Sequence, residues 1–189
     1  MVSMKIYVAF LLSFFALGCM TPVRLPKDIS IENKVLLPFR VDTVFIVDLR
    51  SDTTSEQLKL PLLSIEPREW IVRPALKTNL RQEIVQLINR ASFADGIPAE
   101  VTLYVQDGYY KIAGNAHAVG EYAVFDCLIN FAPKESNVQW NASSKSYNNN
   151  ERLINATEKH AKEMYRITAI NGVYAALKQG KKIFDEEGE

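Results

Sequence analysis

The chain has few histidines and cysteines, from which many catalytic and metal sites are built. Its 189 residues include two histidines and two cysteines. Neither His117 nor His160 has a cysteine or carboxylate at the spacing of metal ligands, and the HExxH pattern is missing. The segment after the first predicted strand, Asp48 to Asp52, contains no glycine that could shape a phosphate-binding loop. We therefore predict no catalytic residue, no metal site and no cofactor.

The chain also lacks an excess of charge of either sign. Lysine and arginine total 22, aspartate and glutamate total 22, and the formal net charge is zero. A balanced surface gives no electrostatic reason to bind nucleic acid, which we exclude as a predicted partner. The apolar run from Ile6 to Leu17 is shorter than the roughly twenty residues that a helix needs to cross a bilayer.

That short apolar run belongs to a segment with the layout of a secretory signal, because Lys5 precedes it and Gly18 and Cys19 follow it. Phe15-Ala16-Leu17-Gly18-Cys19 resembles the lipobox of bacterial lipoproteins, in which a small residue stands directly before the cysteine. The resemblance implies that residues 1–18 are a signal peptide and that Cys19 is the lipidation site. The alternative is that Cys19 is an ordinary residue near a site cut by a general signal peptidase.

In the lipoprotein family, the residue after the cysteine helps to decide which membrane keeps the protein. Here it is Met20, whereas an aspartate commonly marks retention in the inner membrane. The resemblance therefore implies an outer-membrane location on the periplasmic face, with two partners: the membrane, through the lipid anchor, and an envelope protein. Lipidation of Cys19 would leave only Cys127, so an internal disulfide would be excluded.

The remainder predicts a tether followed by one domain. Prolines among polar residues indicate a lipidated tether over residues 19–40. Residues 41–184 are sufficient for a single domain with its own core, and residues 185–189 form an acidic tail.

Hydrophobic periodicity predicts the elements of this domain. Val41 to Leu49 is expected to be a strand buried on both faces, because its β-forming residues are contiguous. A first helix is expected to start near Pro74. A long second helix is expected from about Asn150, as its N-cap, to Lys182. The apolar stripe of the first helix consists of Leu76, Leu80, Ile84, Leu87, Ile88 and Ala91.

Three details stay open at this level. Asp107-Gly108 predicts either a hairpin turn or a bulge within a longer strand. Gly172 inside the second helix indicates a bend or close packing. The segment from Leu58 to Val72 has no assignment.

The order strand, helix, strands, helix predicts an α+β fold: an antiparallel-rich sheet of about four strands, with two main helices packed on one face. A strand and helix before a strand meander and a long terminal helix resemble the YajG-like small envelope lipoproteins. The resemblance implies a non-catalytic accessory or docking subunit in envelope assembly or lipid transport. The competing hypothesis is a secreted or periplasmic ligand-binding protein or enzyme whose site joins residues distant in sequence.

Aromatic side chains in the β region are the positive signal for binding. Tyrosine offers a large rigid contact area with a polar tip, so the open sheet face that carries these residues is predicted to bind a protein partner or an acyl ligand. Alternatively, the rings cover the sheet or meet the helices. Alternation from Ala123 to Phe131 also places Cys127 on the apolar side, which predicts a buried, inert thiol. The five predicted partner-binding residues are Tyr104, Tyr109, Tyr110, Tyr122 and Trp140.

Overall fold

The computed structural model describes residues 37–54, 68–114, 119–135, 139–152 and 157–187. The predicted signal peptide, Cys19, His117 and most of the unassigned Leu58–Val72 segment lie outside the described residues. Within the described part, the chain forms five strands and two helices, an α+β fold. Neither of these helices combines the length and apolar character needed to cross a membrane.

The sheet is mixed and five-stranded, which corrects the expected antiparallel-rich sheet of about four strands. Its order is β1-β3-β4-β5, and β2 also pairs with β3. β1 is parallel to β3 because the helix between them carries the chain back, whereas the other pairs are antiparallel. The elements are β1 (Leu37–Asp48), β2 (Arg68–Val72), α1 (Thr78–Ala91), β3 (Ser92–Gly114), β4 (Val119–Pro133), β5 (Trp140–Arg152) and α2 (Glu158–Glu187).

Both helices pack on one side of the sheet, which we call the inner face. All six residues of the predicted α1 stripe are buried there, which confirms the stripe for the five that lie in α1, whereas Leu76 is buried in the segment just before the helix. α2 contributes Ile170, Val173 and Leu177 to the same core. The sheet contributes Val101, Leu103 and Val105 from β3 and Phe125, Cys127, Ile129 and Phe131 from β4.

Asp107-Gly108 lies at a bulge within one long strand, β3, and not in a hairpin turn. The bulge changes which residues of β3 face the core. Val105 pairs with Cys127, and Asp107 pairs with Asp126, which is adjacent to Cys127 on β4. Gln106 is therefore an extra residue of β3 that has no partner on β4. Buried positions are odd-numbered before the bulge and even-numbered after it. After the bulge they are Gly108, Tyr110 and Ile112.

α2 packs closely on β4 and β5 at Gly172, which is one of the two alternatives that this glycine left open. A Cβ at Gly172 would lie 2.9 Å from Ser146 Oγ and 3.1 Å from Phe125 Cδ1. Ser144 Oγ donates a 2.6 Å hydrogen bond to the carbonyl of Gly172, and Ser146 Oγ donates one of equal length to Thr168. Since later residues of β5 meet earlier residues of α2, the helix runs antiparallel to this strand.

Both predicted helix starts are wrong, and in each case the chain is extended at the predicted residue. α1 begins four residues after Pro74, whose backbone instead forms a bridge with Thr54. Asn150 lies inside β5, and α2 begins at Glu158. The hydroxyl that caps α2 belongs to Thr157 and accepts a 3.2 Å hydrogen bond from the backbone N–H of His160.

Candidate docking surface

The side of the sheet away from the helices, the outer face, exposes apolar residues of β1. The side chains of Phe45 and Val47 are 49% and 38% exposed. The expectation that β1 is buried on both faces is therefore wrong. The helices cover only the inner face, where Val44 and Ile46 pack against the core.

These exposed residues continue across the sheet. Val47 pairs with Tyr104 on β3, and Tyr104 pairs with Leu128 on β4. Directly opposed residues of neighbouring strands have Cβ atoms about 5 Å apart, so the three side chains form one row. We call Phe45, Val47, Tyr104 and Leu128 the Phe45 patch.

A second apolar group lies further along the outer face. Tyr109, Val124 and Tyr147 form a row through β3, β4 and β5, and Tyr122 lies in the next row. The ring of Tyr122 folds over Gly120, where a Cβ would approach it to 3.0 Å. Tyr147 is 74% exposed. We call these four residues the Tyr122 patch.

A charged row separates the two patches. Asp107, Asp126 and Lys145 are aligned across three strands, and Lys145 Nζ lies 3.8 Å from Asp126 Oδ2. Arg73 pairs with Asp107 at 3.8 Å, and its guanidinium carbon lies 5.9 Å from the centre of the Tyr109 ring. Arg73 thus covers a ring of the Tyr122 patch. Among the described contacts, no guanidinium lies over a ring of the Phe45 patch.

The structure divides the five predicted partner-binding residues between the two faces. Tyr104, Tyr109 and Tyr122 lie on the outer face. Tyr110 is fully buried on the inner face, because the bulge reverses the alternation before it. Trp140 also lies on the inner side, with its ring 5.5 Å from that of Phe39. Tyr110 and Trp140 therefore lie outside the docking surface for which they were predicted.

The sequence analysis missed a polar cluster in the core. Glu121 has no exposure, and its Oε1 accepts a 2.6 Å hydrogen bond from the hydroxyl of Tyr110. Its Oε2 accepts one from Asn150 Nδ2 at 3.3 Å and lies 3.3 Å from His160 Nε2. In the alternation of β4, Glu121 falls on the same side as the apolar residues from Ala123 onward. That position was the signal in the sequence that Glu121 is buried.

This cluster joins β3, β4 and β5 to the first turn of α2. Apolar residues, among them Val72, Ile112, Ala161 and Met164, form the surrounding core. A carboxylate beside an imidazole can exchange protons, but a substrate could reach this pair only if the core opened. We therefore assign it the role of holding the start of α2 on the sheet.

A second buried cluster ties the end of β1 to the bulge. The side chain of Arg50 is 2% exposed and forms a bidentate pair with Asp48 at 2.8 and 2.7 Å. Its Nη1 donates to the carbonyl of Gly108 at 2.7 Å and to the hydroxyl of Tyr165 at 3.0 Å, and its Nη2 donates to Pro74. The donors of Arg50 thus connect β1, β3, α2 and the segment before α1.

Burial and the contacts with Arg50 shift the pKa values of Asp48 and Tyr165 in opposite directions. Burial alone would raise the pKa of Asp48, but the hydrogen bonds and charge of Arg50 outweigh it and hold this pKa below the ordinary value. Burial is the main cause that raises the pKa of Tyr165 to about 12, against the opposing charge of Arg50. Both groups therefore keep their neutral-pH protonation state in the folded protein.

The thiol of Cys127 is buried, as predicted. Burial raises its pKa to about 12, so the reactive thiolate is not formed at neutral pH. Among the residues that the structure describes, no three His, Cys, Asp or Glu side chains converge in a way that could hold a metal ion.

No protein-family model matches the chain, and no curated protein matches it significantly.

Proposed function

We propose that this protein is a non-catalytic accessory lipoprotein of the bacterial envelope that docks a protein partner on the outer face of its sheet. The observation that carries the docking step is the exposure of Phe45 and Val47 beside Tyr104 and Leu128. β1 has the contiguous apolar sequence of a strand covered on both sides, and the helices cover one side only. An apolar partner surface would cover the other.

A protein partner fits this surface better than an acyl ligand. Sites for small apolar ligands are concave and enclose most of the ligand. An open sheet face instead offers a broad area of aromatic and aliphatic contact with a polar rim, which is the arrangement of protein interfaces. The charged row of Asp107, Asp126 and Lys145 would form part of that rim.

The docking step is tested with two phenylalanines of equal exposure. Phe45 is 49% exposed within the patch, and Phe93 is 46% exposed at the start of β3, outside it. We expect Phe45→Ser, and Tyr104→Ser combined with Tyr122→Ser, to reduce recovery of crosslinked envelope partners. Phe93→Ser should leave recovery unchanged. Equal recovery from all variants would overturn the docking proposal.

The anchor is tested separately. In the proposal, Cys19 is the first residue of the mature protein and carries lipid, which places the domain on the periplasmic face of the outer membrane. Cys19→Ala should release the protein from the membrane fraction, and mass spectrometry of the wild-type amino terminus should find an acylated cysteine. An unmodified Cys19, or a mature chain that begins beyond it, would contradict the anchor.

A further inference from the structure

β5 is an edge strand with little of the usual protection. Its thirteen residues pair with β4 in an uninterrupted register from Trp140 to Arg152 and include no proline. Within the described ranges, no strand pairs with its other edge. Natural proteins protect such edges with charges, prolines or bulges, because the free N–H and C=O groups can pair with another chain.

The opposite edge of the sheet shows that protection. β1 has two register shifts against β3 and carries the charged pair Arg40 and Asp42, joined at 3.2 Å. On β5, by contrast, Lys145 is the single charged residue between Trp140 and Asn150. The less protected edge is therefore the β5 edge.

We propose that β5 pairs antiparallel with β5 of a second copy of this chain, about a two-fold axis at Ser146, which is the midpoint of the strand. Two copies would then share one continuous sheet, with both outer faces on the same side. All thirteen residues of the strand take part in this register. The proposal is independent of the envelope function and of the lipid anchor.

The sequence of β5 suits pairing with itself in this register. Lys145 of each copy lies opposite Tyr147 of the other, on the outer face. This places an ammonium group beside a tyrosine that is 74% exposed. The other charged positions, Glu151 and Arg152, lie opposite Asn141 and Trp140. No two like charges oppose one another.

The position of α2 also fits two copies. α2 follows β5 and packs on both β4 and β5, through Gly172 against Ser146 on one strand and Phe125 on the other. Its axis therefore lies between the two strands. Because neighbouring strands are about 4.8 Å apart, pairing the edges would place the two α2 axes about 10 Å apart. Packed helices have interaxial distances of about 8–10 Å, so the helices can meet without a clash.

Substitution of Tyr147 tests the register. We would measure the mass of the full-length chain in mild detergent by sedimentation velocity over a range of concentrations. The wild type should associate to two chains. Tyr147→Lys would place a lysine opposite Lys145 of the second copy twice, and we expect the dimer dissociation constant to rise about tenfold or more. A wild type that stays a single chain at every concentration would overturn the proposal.

A charge reversal and a matched control complete the test. Lys145→Glu added to Tyr147→Lys restores opposite charges across the axis. This variant also carries Asp126→Asn, because the new glutamate would otherwise face Asp126, and its dimer should recover. Tyr122→Lys adds the same charge on β4, one strand away, and should leave the dimer intact. Melting by circular dichroism verifies that each variant is folded. Dimerisation unaffected by Tyr147→Lys in a folded variant would contradict the pairing.

Discussion

The hydroxyl of Tyr110 donates a 2.6 Å hydrogen bond to Oε1 of Glu121, inside the core and across two antiparallel strands. The second carboxylate oxygen lies near Asn150 on β5 and His160 on α2. One carboxylate thus holds together three consecutive strands and the helix that follows them. A buried carboxylate is tolerated only when such partners replace its hydration.

Removing this carboxylate should destabilise the fold strongly. Glu121→Ala leaves the polar groups of Tyr110, Asn150 and His160 without their shared acceptor, and we expect a loss of about 3 kcal/mol or more in the free energy of unfolding. Glu121→Gln keeps an acceptor for Tyr110 and should lose less. Urea unfolding measures both. Equal stability of Glu121→Ala and wild type would show that the cluster contributes nothing to folding.

The Asp48–Arg50 pair should make stability depend on acid pH. Because the folded-state pKa of Asp48 lies below its ordinary value of 3.8, its contribution is present above that value and is lost as pH falls through the folded-state pKa. Asp48→Asn leaves Arg50 buried without its carboxylate and should lose about 3–5 kcal/mol at neutral pH.

The control for this pair is Asp52→Asn, which breaks the exposed 3.0 Å pair with Arg73. An exposed pair contributes less than about 1 kcal/mol, so this variant should remain close to wild type. The difference between wild type and Asp48→Asn, measured by urea unfolding at several pH values, should shrink toward acid pH. A difference that does not change with pH would refute the linkage.

Gly172→Ala tests the close contact between α2 and β5. In an open helix this change stabilises by about 1 kcal/mol. Here the added methyl would crowd Ser146 Oγ, which is already hydrogen-bonded to Thr168, and overpacking costs about 1–3 kcal/mol. We expect a net loss in thermal or urea unfolding.

A double-mutant cycle with Ser146→Ala should show that the two substitutions are coupled, because the crowded oxygen is then gone. An alanine at Gln179, an exposed position on the same helix, serves as the control and should have little effect. A stabilised Gly172→Ala would mean that the helix does not approach the strand this closely.

The number of reactive thiols, counted before and after denaturation, tests both the burial of Cys127 and the proposed lipid on Cys19. Cys127 has a pKa raised to about 12 by burial and should resist iodoacetamide in the native protein at neutral pH. After denaturation, membrane-extracted protein should expose one reactive thiol if Cys19 carries lipid and two if Cys19 is present and free. Rapid native labelling of Cys127 would contradict its burial.

Local sequence patterns predicted the parts of the fold that local patterns control. The α1 stripe and the alternation of β4 are buried as expected, because each element presents one periodic face to the core. Register and pairing direction depend on partners distant in sequence. The parallel pairing of β1 with β3 was therefore missed. The strand at Asn150 was missed as well, because asparagine suits both a helix cap and the polar edge strand that it occupies.

The candidate site shows the same division. Contiguous apolar residues in β1 indicated burial on both faces, but a local pattern cannot show that the helices of the chain cover only one of them. Alternation correctly placed Tyr104 and Tyr122 on the same face of the sheet. It failed at Tyr110 because one unpaired residue of β3 lies between Tyr104 and Tyr110 and reverses the pattern.

That residue is Gln106, and because of it buried residues of both odd and even number come from one strand. Val105 and Asp107 already pair with successive residues of β4, so a strand without Gln106 would alternate without a break and keep Tyr110 and Ile112 on the inner face. Removing this single exposed glutamine would therefore abolish the bulge and leave the donor of Glu121 in the interior. The direction of the Tyr110 side chain is set by its pairing with Ala123 on β4, not by its distance along the chain from Val105.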